Sequence, residues 1–248
     1  MLQQVVLHTT GTPEVMHLQT AQAQAPGLGE VWLTQAAIGV NPLDVSQRKG
    51  AVRIPLPSGL GLEGAGTVAA IGAGVTSVAV GDRVAYATGP LGAYAGARLF
   101  PADRLVKLPD SVAFDDAAAV LFKGITAQYL LKATYAVGPG TRIVVYGAAG
   151  ALGQIMVPWA RHLGAFVIGV VSKAESVERA RAAGCNEVFV FDPAMLPEQV
   201  RQATQGHKAD VVYDPIGRVT LRPRSTACAR ADCWCRLARR RACRRPSR

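Results

Sequence analysis

The sequence predicts an α/β plus β protein, a β-rich N-terminal domain followed by a doubly wound parallel sheet. Two observations carry this. Up to about residue 125, short apolar segments are punctuated by Gly, Pro and Asp, the rhythm of a small barrel-like unit of strands and turns. Beyond that point apolar runs of strand length alternate with amphipathic stretches of helix length, the rhythm of strand and crossover helix. A third observation sets the last 31 residues apart: 11 are Arg, four are Cys, one is acidic, and none is Lys or Gly.

In chain order, the expected strands of the first domain are "QVVLHTT" from Gln4, "EVWLTQAAIGV" from Glu30, "GAGTVAAIG" from Gly64, "DRVAYAT" from Asp82 and "ARLF" from Ala97. An Ala-rich helix is expected in "SVAFDDAAAVLFKGITAQYLLKATY", with Asp115 and Asp116 placed to favour its positive N-terminal end. Next come a strand at 142–146, a helix at about 151–163, a strand at 166–171, a helix at about 175–183, a strand at 187–191 and a fourth strand at about 210–214. The domain boundaries read 1–125, 126–217 and 218–248.

The net charge of +10 belongs to the tail alone, because residues 1–217 hold 16 of the 27 basic and 16 of the 17 acidic residues. The body therefore lacks the electrostatic footprint of a nucleic-acid binder, and nucleic acid is not an expected partner. No apolar run approaches the roughly 18 residues of a membrane helix. "MLQQVVLHTT" has neither a basic start nor a cleavable apolar core, so a cytoplasmic protein without membrane association is expected. Cys185 is the one cysteine of the body, which excludes a disulfide framework and a thiolate cluster there. Cys228, Cys233, Cys235 and Cys243 in the tail match no structural zinc spacing.

The chemistry starts at the strand-to-helix turn Gly147-Ala148-Ala149-Gly150-Ala151-Leu152-Gly153. Gly150 lets the backbone approach a pyrophosphate, Gly153 lets the following helix pack close to the sheet, and the N-terminus of that helix faces the phosphates. Ala148 stands where the usual fingerprint has its first glycine, so position after a strand and before a helix carries the assignment. About twenty residues on, where Asp or Glu would hold the ribose hydroxyls of NAD, the second strand ends in Ser172 and Lys173. A cationic, hydroxyl-bearing end suits a 2′-phosphate, and NADP is expected over NAD.

Further landmarks are "GTPEVM", "VNPLD", "LPSGLG", "GAGVTSVAVGDRVAY", "GAYA", "LFKGITAQYLL" and "VVYDPIGR". Together with "GAAGALG" they resemble the zinc-free, zeta-crystallin-like NADPH:quinone oxidoreductases of the medium-chain dehydrogenase/reductase superfamily, over residues 1 to about 218. The resemblance implies a GroES-like N-terminal substrate and catalytic domain and a Rossmann NADP-binding domain, here incomplete. It implies hydride transfer from NADPH to a quinone held in the cleft between the domains. Zinc-dependent relatives place a Cys where this chain has Asn41 and a His where it has Leu62 before Glu63; neither replacement is a normal zinc ligand, so no zinc is expected. Carried over position by position, the catalytic candidates are Asn41, which orients nicotinamide or quinone oxygen, and Asp44, which anchors the loop. The cofactor-binding candidates are Asn41, Thr126, Gly150, Ala151, Leu152, Gly153, Ser172, Lys173, Phe191 and Gly217. A Lys and a Tyr that bind the 2′-phosphate in relatives align with Ser176 and Phe191, and a Tyr near the substrate pocket aligns with Val52; Lys173 or Arg179 compensates for the lost charge. The full-length family implies a homodimer.

After "YDPIGR" the resemblance stops. Read one base out of register from within Arg224, synonymous codons permit "LDCLRPRGLLVSFG", a turn, a glycine and a buried strand that resembles the family. The tail is therefore expected to be out-of-frame translation and disordered, leaving four strands of the sheet with the fourth exposing an edge and an apolar face. Two other functions stay open at this point. A reductase of α,β-unsaturated carbonyls on the same scaffold is separated by comparing quinone and enone turnover. An inactive truncated product, or a nucleic-acid binder acting through its arginines, is separated by salt sensitivity and by deletion of 218–248.

Overall fold

The structure, a computed structural model, describes residues 1–216, residue 227 and the backbone of 234–236. It divides into two units, Met1–Phe122 and Lys123–Arg248.

Alternating apolar side chains fold the first unit into two antiparallel sheets. In the smaller, β1 (Leu2–Leu7) lies between β2 (Met16–Ala21) and β4 (Ser58–Gly59). The larger contains β3 (Glu30–Gly39), β5 (Glu63–Ile71), β6 (Arg83–Ala87), β7 (Ala97–Pro101) and β8 (Val106–Lys107), in the order β7-β3-β5-β6-β8. Period-two patterning is plain in β3, where Val31 and Leu33 are fully buried with Val84, Tyr86 and Phe100. Arg98 is buried with them. Its guanidinium donates to the carbonyls of Pro90 at 2.8 Å and Leu91 at 3.0 Å and lies over the Phe100 ring at 5.0 Å. The five expected strands are all present. Added to them are β2, β4, β8 and the seven-residue helix α1 (Pro42–Arg48).

Helix α2 (Phe114–Gln128) carries the division between the units and ends in a wider turn at Tyr129–Thr134. Asp115 and Asp116 occupy its first turn, as the dipole favours. The second unit then alternates β9 (Arg142–Tyr146), α3 (Gly153–His162), β10 (Phe166–Val171), α4 (Val177–Ala182), β11 (Glu187–Val190), α5 (Leu196–Ala203) and β12 (Val211–Asp214). The strands are parallel, in the order β11-β10-β9-β12. Both faces of this sheet are covered. Successive residues of β9 illustrate it: Ile143 and Val145 pack with Met156, Val157 and Ala160 of α3, while Val144 and Tyr146 pack with Leu196 and Val200 of α5. Ile168 is fully buried, and truncation of such a side chain to Ala costs about 2–5 kcal/mol.

Two expectations are corrected here. The fourth strand does not present a bare edge: β13 (Trp234–Arg236) pairs with β12 in parallel, Val212 opposite Trp234 and Asp214 opposite Arg236. Residues 234–236 of the tail thus form a strand where disorder was expected. The physical reason is that ladder hydrogen bonds use the main chain, so an Arg-rich segment can occupy an open edge as well as an apolar one. Nor is the face beside β12 bare, because α5, absent from the sequence reading, covers it and the buried Ala227 joins the same cluster. The Ala227 carbonyl accepts the Ala209 N–H at 3.0 Å. Gly217 and the rest of the tail lie outside the described residues.

Deleting residues 227–248 removes both attachments. The expected outcome is a lower melting temperature and concentration-dependent aggregation through the β12 edge, measured by thermal denaturation and light scattering against the full chain.

Candidate functional site

Each unit builds one cluster. In the first, the backbone leaves β3 at Gly39 and enters α1 through Asn41, whose φ of −128° and ψ of 147° are those of an N-cap. The Asp44 carboxylate reaches back to accept the Asn41 backbone N–H at 2.9 Å, and the Asp44 N–H donates to the Asn41 carbonyl at 3.0 Å. Pro42 opens the helix, where a missing N–H costs nothing. The Tyr94 hydroxyl donates to the same Asp44 oxygen at 2.9 Å. Burial first, then the charge of Asp44, holds the Tyr94 phenol well above its ordinary pKa, so it remains a donor across the physiological range.

The Asn41 side chain is fixed separately. Its Nδ2 donates to Glu63 Oε2 at 2.9 Å, and the other Glu63 oxygen accepts the Phe122 N–H at 2.6 Å. Asn41, Asp44 and Glu63 are 2%, 1% and 0% exposed. Gly39 leaves the room this needs, since a Cβ there would stand 2.8 Å from Glu63 Cδ. Glu63 and Tyr94 were not among the candidates read from sequence. The available signal for Glu63 was an acid inside the apolar, glycine-rich run "GLGLEGAGTVAA". Val52, by contrast, is exposed.

In the second unit the turn after β9 is closed by the backbone. Gly147 N–H donates to Val170 O at 2.8 Å, Gly150 N–H to Gly147 O at 2.8 Å, and Gln154 N–H to Gly150 O at 2.9 Å. Gly150 and Ala151 are exposed, Leu152 is half-buried and Gly153 is buried. Gly153 has no room for a side chain, because a Cβ would stand 2.7 Å from Ala148 Cα; this is how α3 comes close enough to the sheet to aim its first N–H groups over the turn. Ser172 and Lys173 are exposed just beyond β10. Phe191 follows β11, half-buried, its N–H donating to Val171 O at 2.8 Å and its ring edge-on to Tyr146 at 5.9 Å. The structure therefore brings Gly150–Gly153, Ser172, Lys173 and Phe191 to the carboxyl ends of three adjacent strands. Thr126 is half-buried on α2 in the same unit. Ser176 is half-buried and Arg179 exposed on the neighbouring short helices.

Burial raises the Cys185 thiol to about 11, so it is no thiolate nucleophile at neutral pH. Among the described residues no three His, Cys, Asp or Glu side chains gather as a metal site, and no helix is long and apolar enough to cross a membrane. The Asn41 amide, which spends a donor on Glu63, and the apolar Leu62 form a donor set that does not fit a catalytic zinc.

A barrel-like unit with a buried polar cluster and a parallel sheet with a glycine turn at its carboxyl end define a dinucleotide-dependent dehydrogenase or reductase. Family models agree: one described as the alcohol dehydrogenase GroES-like domain matches residues 27–110, and one described as zinc-binding dehydrogenase matches residues 151–233. The second match runs past residue 218, where the landmark resemblance ends. The 2-haloacrylate reductase of a Burkholderia species is 43% identical over 242 residues, 95% of this chain and 72% of the relative. The quinone oxidoreductase of Pseudomonas syringae pv. tomato superposes with a TM-score of 0.89 at 44% identity, covering 92% of this chain and 71% of that one. The Escherichia coli quinone oxidoreductase complexed with NADPH gives 0.87 at 37% identity, covering 91% and 70%. The chain belongs to the quinone oxidoreductase family of the medium-chain dehydrogenases/reductases.

Two outcomes test this geometry. Tyr94→Phe removes one donor to a buried carboxylate and is expected to cost about 1–3 kcal/mol near neutral pH. Because the phenol pKa is raised in the fold, the stabilisation is full below the unfolded value of about 10 and is lost as pH rises above it. Melting curves of both proteins should therefore converge at high pH. Gly153→Val forces α3 off Ala148, with an expected loss of about 1–3 kcal/mol by overpacking, read from denaturant unfolding.

Proposed function

We propose that the protein is an NADPH:quinone oxidoreductase that transfers a hydride without a metal. The observation that carries this is the Asn41–Glu63 hydrogen bond at the position where a metal-dependent relative needs ligands. An amide at position 41 and the apolar Leu62 supply no ordinary zinc ligand there, which favours an electron-poor acceptor that needs no Lewis acid. The built turn supports the cofactor assignment.

When bound, NADPH supplies the hydride from its nicotinamide ring. The chain's own residues bind and orient. Gly150, Ala151, Leu152 and Gly153, with the N-terminus of α3, hold the pyrophosphate. Ser172 and Lys173 meet the 2′-phosphate at the end of β10, Phe191 flanks the adenine side, and Thr126 contacts the cofactor from α2. Asn41 orients the reacting ring, and Asp44 anchors Asn41 by its backbone. Quinone, NADPH and a proton give hydroquinone and NADP⁺, with rate supplied by proximity and orientation.

A second reading, reduction of an α,β-unsaturated carbonyl, is favoured by the 2-haloacrylate reductase likeness across 95% of the chain. Steady-state NADPH oxidation with 1,4-benzoquinone and with 2-chloroacrylate decides between them. Quinone turnover at least tenfold faster supports the first reading, and the reverse order selects the second; in either case a chelator is expected to change nothing. Lys173→Glu is expected to raise the KM for NADPH about tenfold or more, the factor that about 1.4 kcal/mol produces, while the KM for NADH falls. An unchanged NADPH KM removes Lys173 from the site.

A further inference from the structure

We propose that Glu63 is a positioning residue that fixes the polarity of the Asn41 side-chain amide, an inference that rests on the reading of Asn41 as a group at the reacting ring. A carboxylate accepts hydrogen bonds and cannot donate them, so the Asn41 atom 2.9 Å from Glu63 Oε2 is the amide nitrogen, and Oδ1 takes the opposite edge. The reversed amide would set oxygen against oxygen at a buried position, where bulk solvent cannot screen them.

Glu63 can impose this because it is itself held in place by its neighbours. It is fully buried, opens β5, and is paired across the sheet with Gly39 on one side and Ala87 on the other. Its second oxygen is held by the Phe122 N–H of α2. Gly39 brings the β3 backbone against the carboxylate, where a Cβ would stand 2.8 Å from Glu63 Cδ.

The two attachments of Asn41 are separable. Asp44 fixes its backbone through the N-cap, and Glu63 fixes its amide. Losing Glu63 leaves the Asp44 hydrogen bond that starts α1 in place and removes the acceptor that sets which amide edge faces the reaction. The part of that change that reaches the hydride-transfer step through Asn41 has no route to it once Asn41 is gone.

The experiment is a double-mutant cycle on the full chain, comparing wild type, Glu63→Gln, Asn41→Ala and the pair. Read-outs are NADPH Kd from nicotinamide fluorescence, and kcat and KM for 1,4-benzoquinone. Glu63→Gln is expected to lower kcat about tenfold with Asn41 present and less than about twofold in the Asn41→Ala background, the non-additivity of residues in one network. An equal factor in both backgrounds, or none in either, overturns the proposal, since a merely structural Glu63 would act regardless of Asn41. If Glu63→Gln fails to melt cooperatively, Glu63→Ala replaces it, removing the acceptor of the Asn41 amide altogether, and the same criteria apply. A wild type that binds NADPH but reduces neither quinone nor enone sinks the proposed activity alone. The cycle read on Kd then decides, coupling retaining the role of Glu63 and additivity removing it. A wild type that binds no NADPH overturns both.

Discussion

The architecture of the first unit turns on one buried carboxylate. Taking an ionised carboxylate out of water costs several kcal/mol unless donors meet it. Glu63 meets two from distant parts of the chain, the Asn41 amide 22 residues before it and the Phe122 N–H 59 residues after it. Those bonds hold the β3–α1 junction, the start of β5 and the middle of α2 at fixed spacing. Tyr94 extends the same network through Asp44, so the segment between β6 and β7 is tied in as well. Gly39 and Gly64 are consequences of this crowding. A Cβ at Gly64 would stand 2.9 Å from the Tyr86 hydroxyl, which itself donates to Gln35.

The second unit is governed by topology. β9 comes first in the chain and lies inside the sheet, with β10 and β11 added on one side and β12 on the other. Connections leaving opposite sides of β9 diverge, and the crevice between them opens at the carboxyl end of that strand. Gly150 and Gly153 stand at this switch point, in the turn that follows β9. α3 and α5 cover opposite faces, which is why apolar runs rather than alternating patterns encode these strands.

That coding explains what the sequence disclosed. The strands at 142–146 and 166–171 coincide with β9 and β10 to the residue, because both are unbroken apolar runs bounded by turn residues. β2 carried no such signal: five of the six residues in Met16–Ala21 are exposed, so it is defined by pairing with β1 and by nothing in its own composition. α5 begins beside a proline, and its apolar positions Leu196, Val200 and Ala203 do recur at helical spacing, but over eight residues only, a signal short enough to be passed over. The glycine turn was legible because its chemistry is local. Glu63 and Tyr94 were not, since burial of a polar side chain is set by partners dozens of residues away.

The same distinction bears on chemistry. Reducing an isolated ketone builds charge on its oxygen, and a Lewis acid or a strong donor is needed to hold it. The Asn41–Glu63 pair offers an amide already bound to a carboxylate, so in the proposed role it would orient an acceptor better than it would stabilise an oxyanion. Acceptors that delocalise the incoming electron pair themselves escape this requirement. A quinone does so by becoming aromatic, and an enone by spreading charge through its conjugated carbonyl. The two acceptors of the proposed activity thus share an electron demand rather than a shape. On the proposed function, discrimination between them falls to the residues that shape the acceptor pocket, while Glu63 and Asn41 would serve both by fixing the direction from which the ring is approached.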